Sequence, residues 1–171
     1  SYILANVGSD DGDGRGNGAS GMGIELPKMN LMSELPSDCI SRMGSKDGKT
    51  AWKARKAALE DVEKAIKGSS GLLDVSMLKP LADLLRAMRD RLSDSQSNLK
   101  PLAARVIGLV LFAVEGEAQG KLGKLVYGPI MNAAMNDKRK VMNDAAVEAL
   151  KKGISIPEIK GEGLNEHSLE M

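Results

Sequence analysis

The chain has 171 residues, 42% of them apolar and 27% charged, with a formal net charge of +1, the composition of one modest globular domain. Only 2% are aromatic, so the core must be built from Leu, Val, Ile, Ala and ten Met, which suits helix packing better than a sandwich of sheets. The lone Cys39 excludes an internal disulfide framework, the lone His167 leaves little for metal or histidine chemistry, and no apolar run reaches the length of a membrane span.

Taken in chain order, residues 5–23 hold seven glycines among Asp and Ser and read as a flexible linker. The linker is expected to extend to residue 35, with two prolines in its last stretch, and a helical domain is expected over 36–152. Six helices are predicted. The first is short, over 37–46. The second runs over 50–67, with Thr50 as its N-cap and Ala54, Ala58, Val62, Ala65 and Ile66 as an apolar stripe, and ends at Gly68-Ser-Ser-Gly71. The third, over 76–92, buries Leu78, Leu81, Leu85, Met88 and Leu92. The fourth, over 98–114, is apolar nearly all round from Val106 and should be the most buried. The fifth, over 118–135, should kink at Gly128-Pro129. The sixth, over 138–152, should stop at Gly153, leaving 153–171 as a polar connector.

A phrase recurs along these helices: an aspartate in a short polar loop, then a helix opening with an apolar residue and paired alanines. It begins at Asp47, Asp94 and Asp137, spacings of 47 and 43 residues that suit helical-pair repeats of the HEAT or armadillo kind. The expected fold is therefore all-α, an α-solenoid of three HEAT-like hairpins with its loops presented in a row. Charge supports a loop edge as the place to look. Residues 1–35 and 153–171 each carry −3, so the body between them is about +7, which favours an acidic partner.

Three tempting motifs fail on context. Gly16-Asn-Gly18-Ala-Ser-Gly21 fits a dinucleotide fingerprint but lacks the strand before it and the helix after it. Gly44 to Thr50 is one residue short of a phosphate-binding loop and follows no buried strand. Asp11-Gly-Asp13-Gly opens like a calcium loop, but Arg15 and Met22 stand where ligands are required. No nucleophile–base pair can be assembled, so neither enzymatic activity nor a cofactor or metal is expected.

The loop row is what remains. Its first loop region holds Lys46, Lys49, Trp52, Lys53, Arg55 and Lys56; the second Ser93, Asp94, Ser95, Asn98 and Lys100; the third Asn136, Lys138, Arg139 and Lys140. A large aromatic among cations is a binding anchor in form. The helical wheel also sets Trp52 near Leu59 and Ile66, so a core position stays open, and a Lys-Arg-Lys run is equally what a solvated helix start looks like.

Leu35-Pro-Ser-Asp-Cys-Ile-Ser-Arg-Met, Trp52-Lys-Ala-Arg55, Arg91-Leu-Ser-Asp-Ser and Tyr127-Gly-Pro-Ile before Asn136-Asp-Lys together resemble the TOG domains of the microtubule polymerases related to ch-TOG. The resemblance covers residues 35–152 and matches the first three HEAT repeats of an internal TOG domain. It implies binding of the αβ-tubulin heterodimer at the microtubule plus end through the intra-repeat loops. On that analogy Trp52, Lys53 and Arg55, then Ser95 and Asn98, then Lys138, Arg139 and Lys140 would make the contacts. It implies a cytoplasmic, microtubule, spindle or organising-centre location and further TOG or HEAT repeats in the same longer protein; low aromatic content without a helix-turn-helix or RNA-binding signature argues against nucleic acid, and no membrane partner is expected. The alternative is a HEAT scaffold whose helix faces bind another protein.

Overall fold

The computed structural model describes residues 27–69 and 71–154; the Gly-rich stretch, the fingerprint-like and calcium-like phrases and most of the C-terminal connector lie outside the described residues. Among the described residues there are eight α-helices and no strand beyond an isolated bridge between Met29 and Leu73. They are α1 (Leu31–Glu34), α2 (Cys39–Met43), α3 (Ala51–Gly68), α4 (Leu78–Asp90) with a 3-10 turn (Arg91–Ser93), α5 (Leu99–Phe112), α6 (Gly116–Gly123), α7 (Tyr127–Asn136) and α8 (Lys140–Ile154).

Three hairpins, α2–α3, α4–α5 and α7–α8, stack side by side. Their second helices make one layer, in which α5 lies between α3 and α8, while α2, α4 and α6 follow one another in the other. As its sequence requires, α5 is the most enclosed, burying Leu99, Leu102, Val106, Ile107, Val110 and Leu111 together with Ala103 and Ala104. Gly108 permits its close crossing with α8: a Cβ there would stand 2.7 Å from the Ala149 Cα. The all-α repeat architecture expected from the sequence is the one observed.

Proline placement explains several helix starts. Pro80, Pro101 and Pro129 each occupy the third position of their helix. A first-turn N–H has no intrahelical acceptor, so its absence in proline costs nothing there. Pro129 also corrects the predicted fifth helix. One kinked helix would need the Pro129 nitrogen to donate to the Leu125 carbonyl, and proline has no N–H to give. The chain instead breaks into α6 and α7, and the Leu125 carbonyl accepts Arg89 Nη1 at 3.3 Å.

Two boundaries also differ. Residues 27–35 are not linker: Leu31 and Leu35 sit in the core, and Met29 exchanges backbone bonds with the α3–α4 connection, donating to Leu72 O at 2.9 Å and accepting from Asp74 N at 2.7 Å. Gly153 does not stop the last helix. It leaves a notch for the Tyr127 ring, whose hydroxyl donates to the Gly153 carbonyl at 2.9 Å.

Candidate loop-edge interface

The three loops that join the hairpin helices lie at one edge, and two arginines fasten them to one another. Arg55, in the second turn of α3, donates from Nη1 to the Ser45 carbonyl of the first loop at 2.7 Å. The same guanidinium grips Asp94 of the second loop with both Nε and Nη2, at 2.8 and 3.0 Å. Arg139 of the third loop donates to the Ser97 carbonyl of the second at 2.8 Å and to both carboxylate oxygens of Asp137.

Asp94 is the hub. Besides Arg55 it receives Arg91 Nη1 at 2.7 Å and the Gln96 backbone N–H at 2.8 Å. Burial pushes its carboxyl up, but Arg55, the Gln96 N–H and Arg91 outweigh this and hold it below the ordinary carboxylate range. Asp137 repeats the local pattern one hairpin later, its Oδ1 accepting the Arg139 N–H at 3.1 Å. The Arg139 guanidinium and that N–H bring Asp137 down to about 2. The recurrent aspartate of the sequence is thus a loop-shaping residue in the second and third repeats: it accepts the N–H two residues on, as short polar side chains do in turns.

The structure sorts the residues expected at the interface into two groups. Trp52 is half-buried, packed against the core on one side, with the exposed Lys53 Nζ 5.9 Å from its ring centroid. Ser95, Asn98 and Lys138 are exposed on the same edge. Arg55 is not on the surface: it is 8% exposed and committed to Ser45 and Asp94, so it positions the loops. Arg139 is likewise occupied by Asp137 and Ser97, and Lys140 pairs with Asp144 at 2.7 Å. Thr50 stands at the start of α3 without a side-chain cap bond.

Sequence reasoning left Lys46, Lys49 and Lys100 out of the contact set, although they lie in the loops or at the helix start beside them. Together with Lys53 and Lys138, and among the described residues, they make no ion pair within 4 Å, Lys100 feeling the Asp137 carboxylate only at longer range. The only available signal was negative: none has an acid four residues away on its own helix face, the spacing that pairs Lys140 with Asp144 and Lys56 with Glu60. The phosphate-loop-like phrase at 44–50 follows the short helix α2, not a strand, and Gly48 serves its turn with φ of +84°. No cluster of His, Cys, Asp or Glu among the described residues could hold a metal, and no helix there is long and apolar enough to cross a membrane.

No family model matches the chain. Among curated proteins it is 23% identical over 133 residues to Centrosomal protein 224 of Dictyostelium discoideum, a match that covers 78% of this chain. The chain spans about 6% of the length of that relative.

Proposed function

We propose that this chain is a segment of a centrosome- or spindle-associated cytoskeletal protein that binds αβ-tubulin along its loop edge. The observation that carries the reading is the fastening of three loops into one edge by Arg55 and Arg139. That edge presents Trp52 beside Lys46, Lys49, Lys53, Lys100 and Lys138, cations that make no ion pair within 4 Å among the described residues. A rigid cationic edge with one aromatic suits a large acidic protein surface, since ordering has already been accomplished before binding. The distant relationship to a centrosomal protein agrees with a cytoskeletal setting.

In this reading the chain is a binding module of a TOG-like array, not an enzyme. It holds soluble tubulin near a growing microtubule end and so raises its local concentration. It uses no cofactor and binds neither nucleic acid nor membrane, and further repeats of the same protein would supply the rest of the tubulin contact. Size-exclusion comigration with soluble tubulin at low salt tests it. Trp52→Glu and, separately, Lys46→Glu/Lys49→Glu/Lys138→Glu should abolish comigration with unchanged helical content. Comigration that survives the exposed-lysine variant would sink the reading. The half-buried setting of Trp52 favours one alternative, a HEAT scaffold whose helix faces bind another protein; tubulin would then fail to comigrate with any variant.

A further inference from the structure

A groove of 380 Å³ lies beside the second and third loops, between the end of α4 with its 3-10 turn and the exposed side of α7. Its α7 wall is one stripe, Pro129, Asn132, Ala133 and Asn136, spaced as residues on a single helix face must be. Arg89 and Asp90 of α4, Leu92 and Ser93 of the 3-10 turn and Lys100 of α5 complete its lining.

Three features point to a ligand. Asn132 and Asn136 are exposed, and among the described residues neither side chain has a hydrogen-bond partner. Each amide offers both a donor and an acceptor, which is the complement of a peptide group. Residues four apart on a helix have Cβ atoms about 5–6 Å apart. Two residues of extended chain span about 6.6 Å. The two amides can therefore pair with alternate peptide groups of one extended strand, a match that a helical ligand, with its backbone groups already bonded internally, cannot make. Two cations, Arg89 and Lys100, against one acid, Asp90, line the groove, and Lys100 lies in the field of Asp137 but makes no ion pair with it within 4 Å, so a carboxylate side chain of the strand finds a counter-charge there.

We propose that this groove binds an extended acidic peptide segment of a partner protein, with Asn132 and Asn136 reading its backbone and Lys100 and Arg89 its carboxylates. The site adjoins the loop edge and shares Lys100 with it, but it does not depend on tubulin being the partner. The test is fluorescence anisotropy of the whole chain with a fluorescein-labelled peptide of alternating glutamate and valine at low salt. Saturable binding is expected. Asn132→Ala/Asn136→Ala should weaken it roughly tenfold or more, the equivalent of losing two net hydrogen bonds. Lys100→Gln should weaken it and flatten its salt dependence. Both changes are on exposed or half-exposed side chains, and circular dichroism checks that helical content is kept. Absence of saturable binding, or an Asn132→Ala/Asn136→Ala variant that binds as tightly as the unmutated chain, would overturn the proposal. So would loss of binding on Lys46→Glu/Lys49→Glu with the asparagine variant unaffected, because the peptide would then be sitting on the loop edge. The asparagine variant leaves every cation of the loop edge in place, so its outcome does not bear on tubulin comigration, whereas Lys100→Gln touches both surfaces.

Discussion

Arg55 and Asp94 meet through two near-parallel hydrogen bonds, 2.8 and 3.0 Å, with side chains only 10% and 1% exposed. This contact turns two loops of separate hairpins into one surface, because the same guanidinium also holds the Ser45 carbonyl. Removing one partner of such a buried pair strands the other, which costs about 3 kcal/mol or more. Arg55→Ala should therefore lower stability to urea by about that amount, and Arg55→Lys by a large part of it, since an ammonium cannot reproduce the fork. If Arg55 contacted a partner instead, Arg55→Ala would weaken binding while leaving the urea midpoint in place.

Acid should loosen the edge in a defined window. Asp94 and Asp137 both titrate below their ordinary value in the folded chain, Asp137 at about 2. A carboxylate depressed by folding stabilises the fold above its unfolded pKa of about 4, and that contribution disappears as pH falls through the folded value. Stability measured from pH 6 to pH 2 should decline mainly below about pH 4, and Asp94→Asn should flatten the decline while lowering the plateau at neutral pH. A decline of unaltered slope in Asp94→Asn would show that the acid sensitivity originates elsewhere.

Glycine substitutions should separate packing from propensity. At Gly108 an added Cβ would meet the Ala149 backbone at 2.7 Å, and backbone cannot step aside without moving α8. Gly108→Ala should destabilise by about 1–3 kcal/mol, the usual penalty of overpacking. Gly120, exposed in α6 with nothing within 4 Å of its would-be Cβ, should behave oppositely, Gly120→Ala stabilising by about 0.5–1 kcal/mol. Thermal melts of the two variants give the comparison directly.

How legible all this was in the sequence depends on how local the cause is. The long helices were readable because the apolar spacing of α3, α4 and α5 is a property of a dozen neighbouring residues. The core position of Leu31 and Leu35 was not, since four helical residues between two prolines give no period, and their burial comes from α3 and α4. The break before α7 was half readable: Pro129 signalled trouble, but only the arginine from α4 decided where the Leu125 carbonyl would go. Gly153 was misread because its neighbour in space, Tyr127, is 26 residues away. At the loop edge, the positions of the cations followed from sequence, but their roles did not. Arg55 and Lys53 are two residues apart and look alike on paper, yet one is enclosed by Ser45 and Asp94 while the other lies open over Trp52.

That division leads to a prediction about salt and charge. A cation already paired with a neighbouring acid presents a dipole to an incoming surface, whereas an unpaired lysine presents its full charge. Lys140 is paired with Asp144, Arg139 with Asp137, and Lys138 between them has no carboxylate partner among the described residues. If the loop edge steers an acidic partner, association should slow with ionic strength, since at 0.1 M salt charges more than about 10 Å apart are largely screened. Neutralising Lys138 or Lys100 should reduce that salt dependence and the on-rate several-fold, as changes to exposed interface charges do. Lys140→Ala should do far less, because it removes a charge that Asp144 already offsets and leaves the aspartate uncompensated in water at little cost. Stopped-flow association with tubulin across a salt series, for the unmutated chain and the three lysine variants, ranks these contributions. Equal effects from Lys138 and Lys140 would mean that the bound partner reorders the surface ion pairs, and the sorting of the edge into paired and unpaired cations would then not predict its working residues.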